Sequence, residues 1–147
     1  MRKIFILLLL GFSGALYSNS SFATESKPLG DSTYIYVYRV GQWNGAGANW
    51  AVFVDDEKKC KLSNNKYMMI AVAPGKHKIS AKVGGAGLFK KETEIEIDAE
   101  AGGSYYIACN VKQSLTRVRL EMVEVTKNSA NKQMEKMKLD NCQENID

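Results

Sequence analysis

The chain has 147 residues, 45% of them hydrophobic and 10% aromatic, with 20 Lys and Arg against 16 Asp and Glu. That apolar content, with only two prolines, excludes an intrinsically disordered chain, and the length suits one domain with a core of its own. The net charge of +4 is too small to mark a basic nucleic-acid-binding surface.

The first 23 residues read as a leader. Met1-Arg2-Lys3 is a short basic start and Ile4 to Leu10 an unbroken apolar run, extended through Gly11-Phe12. Ser21-Phe22-Ala23 then places small side chains three and one positions before a cut after Ala23. This is the order of a secretory signal peptide, and the run is shorter than the roughly 20 apolar residues of a membrane span. The expectation is a periplasmic or secreted protein with no transmembrane segment after cleavage. No cysteine stands at the cut, so lipid attachment there is not expected. Removing 23 residues leaves 124, Thr24 to Asp147, and takes Lys and Arg to 18 against 16 acids, a net charge of +2. That near balance speaks further against a nucleic-acid partner.

Residues 24–32 form a polar lead-in arm with Pro28 and Gly30. From there a period of two takes over. Tyr34, Tyr36 and Tyr38 alternate with Ile35, Val37 and Arg39, which predicts a strand, since successive side chains face opposite ways. Gly41 to Asn49 is a glycine-rich loop and Trp50 to Val54 a strand. Asp55-Asp56 is a turn, Lys58 to Leu62 a return strand, and Ser63-Asn64-Asn65 a second turn, because Asn tolerates left-handed backbone angles. Tyr67 to Ala73 follows, then Pro74-Gly75 as the centre of a type II turn. Further strands are predicted over His77–Val83, Lys91–Asp98, Tyr105–Val111 and Thr116–Val125. Strand runs with frequent turn signals and no helix between them predict an all-β, antiparallel, seven- to eight-stranded β-sandwich over residues 33–126. The tail, residues 127–147, differs. Asn128 or Ser129 can cap a helix, and Ala130, Met134 and Met137 lie at helical spacing. A short C-terminal α-helix packed on the sheets is expected, with a partner-binding helix as the rival.

No constellation carries a catalytic signature. His77 is the only histidine, and it stands just after a turn with no nucleophile and orienting acid placed around it. Gly84 to Lys90 lacks phosphate-loop spacing, and Lys91 follows Lys90 where Ser or Thr is needed. Asp55-Asp56-Glu57 is consecutive rather than alternating, unlike a calcium loop. No metal site and no cofactor are expected.

Three cysteines, Cys60, Cys109 and Cys142, lie in the mature chain with no CxxC pair. Export favours a disulfide, and the odd count leaves one thiol over or joins two chains. Alternation puts Cys60 with Leu62, and Cys109 with Ile107 and Val111, on inward faces. Cys60–Cys109 is therefore the leading candidate pair. Pairing of Cys142 with either, or buried free thiols, are the alternatives.

In an antiparallel domain alternate loops gather at one end. That end would hold Gly41–Asn49, Ser63–Asn65, Gly84–Phe89 and Lys112–Ser114, and with them Trp43, Trp50, Lys66, Phe89, Lys90 and Lys112. Aromatics beside lysines there are candidate binding residues for an envelope protein, a glycan or a lipid head group. The alternative is that Trp50 belongs to the core and Trp43 plugs the loop.

The order of Tyr36-Val37-Tyr38-Arg39, the Val-Phe-Val-Asp strand, Cys60 to Asn64, Tyr67, Ala73-Pro74-Gly75-Lys76-His77 and Glu100 to Ile107 resembles the bacterial envelope family called domain of unknown function 2846. The Pro-Gly-Lys-His turn also occurs in PEGA-type surface β-domains. The resemblance spans about Tyr34 to Val125. It implies a small β-sandwich, often in periplasmic proteins or lipoproteins, and supplies no catalytic residue or ligand. The missing lipid-bearing cysteine sets this chain apart from the lipoprotein members. The functional expectation is an exported, non-enzymatic protein that binds or supports an envelope partner. The alternative is a secreted interaction protein acting outside the producing cell.

Overall fold

The computed structural model describes residues 32–43, 45–83, 93–113 and 118–141. They form nine strands and one helix: β1 Thr33–Arg39, β2 Trp50–Val54, β3 Glu57–Leu62, β4 Lys66–Val72, β5 Gly75–Val83, β6 Thr93–Ala99, β7 Ser104–Gln113, β8 Val118–Val125, α1 Lys127–Met134 and β9 Lys138–Leu139. Two sheets result, one of five strands in the order β8-β7-β1-β4-β9 and one of four in the order β3-β2-β5-β6.

Alternation places the core. Ile35 and Val37 of β1, Met68 of β4 and Ile107 of β7 join Val52 of β2, Leu62 of β3 and Ile79 of β5 in one buried cluster drawn from both sheets. Turn chemistry sets the hairpins. Asp55 and Asp56 both have positive φ, 51° and 66°, the pattern of a type I′ hairpin turn, whose twist matches that of its strands. Asn65, with φ 55°, makes the left-handed step into β4.

Three features depart from the sequence expectation. The count is nine strands, because the two-residue β9 adds itself to β4. So short a pairing, in a polar tail, leaves no alternation to detect. Pairing is not wholly antiparallel either: β1 lies parallel to β7, with Tyr36 beside Tyr106, and β9 parallel to β4. Antiparallel order is enforced only where a short turn joins neighbours, and some 65 residues separate β1 from β7. Finally, the helix cap is Thr126, whose side chain accepts from Ser129 N, one turn-step earlier than Asn128 or Ser129. The helix stops at Met134, and Met137 N bonds back to Met134 O at 2.8 Å.

The helix lies on the outer face of the five-stranded sheet. Ala130, fully buried, joins Tyr38, Tyr106 and Ala108, with Met134 and Met137 packed alongside, and Tyr38 Oη donates to Gln133 Oε1 at 2.8 Å. Tyr36 and Tyr106 stack nearby, ring centroids 4.9 Å apart.

Cys60 and Cys109 both point inward, but Cys109 is a free, buried thiol, so the Cys60–Cys109 pair is not made. The reason is lateral placement. β3 is the edge strand of its sheet and nears β4, whereas β6 nears β7 and β8. β7 lies two strands from β4. With strands about 4.8 Å apart and sheets about 10 Å apart, the two Cα atoms stand well beyond the roughly 7 Å a disulfide can bridge.

Candidate functional site

The ends of β1, β3, β5 and β7 meet at one end of the domain. Arg39 is opposite Lys66, and Trp50 is opposite both Leu62 and Val83. The segment between β1 and β2 is built there from a buried cation. Arg39 falls on the core face with Ile35 and Val37, and none of its surface is exposed. Its Nη1 donates to Ala48 O at 2.5 Å and its Nη2 to Gly45 O at 2.6 Å. Burial pulls its pKa down, partly opposed by the nearby Cys109. No carboxylate bonds it among the described residues, so backbone carbonyl dipoles take the place of a counter-ion.

Polar side chains complete the anchoring. Gln42 N donates to Asn64 Oδ1 at 3.1 Å, and Asn64 Nδ2 donates to Gln42 O at 3.2 Å. Gln42 Oε1 accepts from Val111 N at 2.7 Å. Gly45 has φ 75°, and a Cβ there would press on Val111 Cγ1 at 3.3 Å, so glycine is required on two counts. The loop is thus bonded to β1, β7 and the β3–β4 turn.

On this anchored loop Trp43 is 95% exposed. Trp50, by contrast, is 1% exposed and is a core residue, not a binding residue. It starts β2 on the inward parity of Val52 and Val54, so burial takes it from the surface. Lys66 is half-buried at the start of β4, and Lys112 is exposed near the end of β7. Lys112 Nζ lies 3.3 Å from a Glu121 carboxylate oxygen, a pair across neighbouring strands. Phe89 and Lys90 lie outside the described residues. Arg39, Gln42 and Asn64 were not singled out from sequence. Arg39 left a signal there, as a charge on the apolar parity of a strand, which must find acceptors.

The two groups with reactive potential elsewhere are tied down. Cys109 is pushed up to about 12 by burial, against a smaller pull from Arg39, so it is a neutral thiol and a poor nucleophile at pH 7. His77 sits at the opposite end from Trp43. Its Nδ1 meets Asp55 Oδ2 at 2.6 Å and its Nε2 meets Ala73 O at 2.7 Å. A carbonyl and a carboxylate both accept, so both contacts are hydrogen bonds when the ring is protonated. The Asp55 bond raises the His77 pKa, and the same bond lowers that of Asp55. Asp55 Oδ1 also accepts from Lys78 N at 2.9 Å, so the pair pins two turns together. Among the described residues no three His, Cys, Asp or Glu side chains gather in a metal-binding group, and no helix is long and apolar enough to cross a membrane.

A family model described as "Protein of unknown function (DUF2846)" matches residues 30–121. No curated protein matches the chain. The chain belongs to the DUF2846 family.

Proposed function

We propose that this DUF2846 protein is an exported, non-enzymatic β-sandwich that presents Trp43 to a cell-envelope partner. One observation carries the reading: an indole 95% exposed on a loop held by five side-chain hydrogen bonds. Leaving a large aromatic in water forgoes a few kcal/mol of burial. Anchoring the loop that bears it removes much of the ordering cost of binding. Rigid aromatic display of this kind is the pattern of an interface anchor. Lys112 stands at the same end, where its ammonium is paired with Glu121. The export half of the reading rests on the signal-peptide order of residues 1–23, and the sandwich on a single core shared by the two sheets.

The test is recovery of crosslinked partners from envelope extracts by the full chain and by Trp43→Ala. Loss of one anchor worth about 2 kcal/mol lowers affinity roughly 30-fold, so the variant should lose its partners. Equal recovery by both proteins refutes the Trp43 assignment. Fractionation tests the address. Mature protein found mainly in the culture supernatant would replace the envelope reading with that of a secreted interaction protein.

A further inference from the structure

We propose that the Trp43 end of the domain docks on an anionic phospholipid surface, with the indole at the headgroup boundary and a rim of cations behind it. This names the partner class of the displayed indole and rests on that reading. Residues 41–49 carry no charged side chain, and Trp43 is their one large apolar group. Tryptophan favours the membrane–water boundary, where an apolar ring with one polar handle meets wet headgroups.

The loop backbone suits that boundary. A carbonyl carried into a low-dielectric layer without a donor is heavily penalised, and here the carbonyls are bonded from within. Asn64 Nδ2 donates to Gln42 O, Ala46 N to Trp43 O at 3.4 Å, and Ala48 N to Gly45 O at 3.0 Å. Arg39 donates to Gly45 O and Ala48 O. The Gln42 side chain is turned to Val111 N. The polar groups of the loop are thus engaged in its own anchoring. Little is left for a protein partner to bond, while the exposed indole can enter lipid.

Charge complementarity selects an anionic surface. Lys66, at the start of β4, has Arg39 on one side and Lys138 on the other in register. Lys112 of β7 stands opposite Arg119 of β8. Like charges on neighbouring strands repel, so the fold keeps a repulsion at this end that an anionic surface relieves. Among the described residues the nearby acids do little to cancel it. Glu121 is paired with Lys112. Asp140 is buried, its Oδ2 accepting from Ser63 N at 2.7 Å. Glu94 of β6 lies deeper, opposite Ser80, and the exposed Glu135 has Lys136 beside it. The acidic turn Asp55-Asp56-Glu57 is at the opposite end, engaged by His77, Lys78 and Lys59. Lys138 and Arg119 are exposed, and their long stems let the charged heads reach phosphates while the indole sits deeper.

The experiment is co-sedimentation with vesicles, using protein purified from cells that express the full chain. The vesicles are equimolar phosphatidylglycerol and phosphatidylcholine, or phosphatidylcholine alone. Wild type, Trp43→Ala and the double variant Arg119→Gln/Lys138→Gln share residues 1–23, so any affinity of the leader is common to all three. The quantity read is wild-type binding in excess of Trp43→Ala. On the anionic vesicles Trp43→Ala should bind roughly 30-fold more weakly. The double variant should lose roughly fivefold per cation, and added salt should weaken the wild type. In the Trp50→Phe background, Trp43 emission should move to the blue on anionic vesicles. No excess on anionic vesicles, an equal excess on neutral ones, or an excess that the double variant keeps in full overturns the proposal. Envelope crosslinks that need Trp43, in a protein that binds no vesicle, would keep the displayed indole and make its partner a protein instead of a lipid surface.

Discussion

The two tryptophans should behave as opposites under the same substitution. Trp43 is 95% exposed and Trp50 1%. Trp43→Ala removes a side chain that the fold does not bury, so its effect on stability should fall within about 0.5 kcal/mol, as for ordinary surface changes. Trp50→Ala removes a fully buried indole from a cluster shared by both sheets. Loss of transfer energy plus the cavity left behind costs about 3–5 kcal/mol. At roughly 3–5 °C per kcal/mol for a domain of this size, Trp43→Ala should melt within about 2 °C of wild type and Trp50→Ala more than about 10 °C below it. Far-ultraviolet circular dichroism measures both without depending on indole emission. Trp50→Phe should cost less than Trp50→Ala, because Trp50 Nε1 has no hydrogen-bond partner to lose. It should leave a protein whose one remaining indole is fully open to acrylamide. A Trp43→Ala loss above about 1.5 kcal/mol would refute the reasoning, because it would make Trp43 a folding residue rather than a displayed one.

Three further outcomes follow from named contacts. Asn64→Ala deletes both bonds to Gln42 and should cost about 2 kcal/mol, at about 1 kcal/mol each, with faster amide exchange at Gln42. An unchanged melting point and exchange rate would mean the loop is not held there. Tyr38→Phe loses the bond to Gln133 and should cost about 1 kcal/mol, seen first as faster exchange of α1 amides. A loss confined to the core strands would contradict that. The His77–Asp55 pair gives a pH dependence with a definite sign. The His77 pKa is raised above 6.5, so its contribution is complete below pH 6.5 and lost as pH rises through the folded value. The Asp55 pKa is lowered below 3.8, so its contribution is complete above pH 3.8 and lost as pH falls through the folded value. Asp55 is half exposed, which limits the pair to about 1 kcal/mol. The wild-type advantage over His77→Gln in melting temperature should be largest near pH 5–6 and shrink by pH 8. An advantage that grows toward pH 8 would contradict the raised His77 pKa.

The eight main strands were legible because one face of each meets the core. Val37, Val52, Leu62 and Ile79 keep the parity that burial demands. Parity reports a face, however, and not a lateral position. Cys60 and Cys109 both face inward yet lie on different sheets, Cys60 on the edge strand β3 and Cys109 on the interior strand β7, and no period in the sequence encodes that β1 pairs with β7 in parallel. The same limit governed the candidate loop end. The register does bring the loop after β1, the β3–β4 turn and the end of β7 together, as alternate-loop counting expects. Whether a tryptophan there is core or surface turns on one residue of parity. Trp50 is the first residue of β2 and faces in, while Trp43 lies outside any strand. Arg39 was readable as an oddity, a cation among Ile35 and Val37. Its acceptors, Gly45 O and Ala48 O, come from the backbone of an irregular loop, where side-chain identity says little. Asp140 left still less trace, since an acid in a polar tail has no reason to be noticed until the chain brings it to Ser63.

The most direct test of the displayed-tryptophan account is photocrosslinking in cells that express the full chain, with benzoylphenylalanine at position 43 and, as a control, at the exposed Glu96 of β6. The account predicts a discrete adduct from position 43, in the envelope fraction, that is absent from position 96. Equal adducts from both positions, or none from position 43, would contradict it.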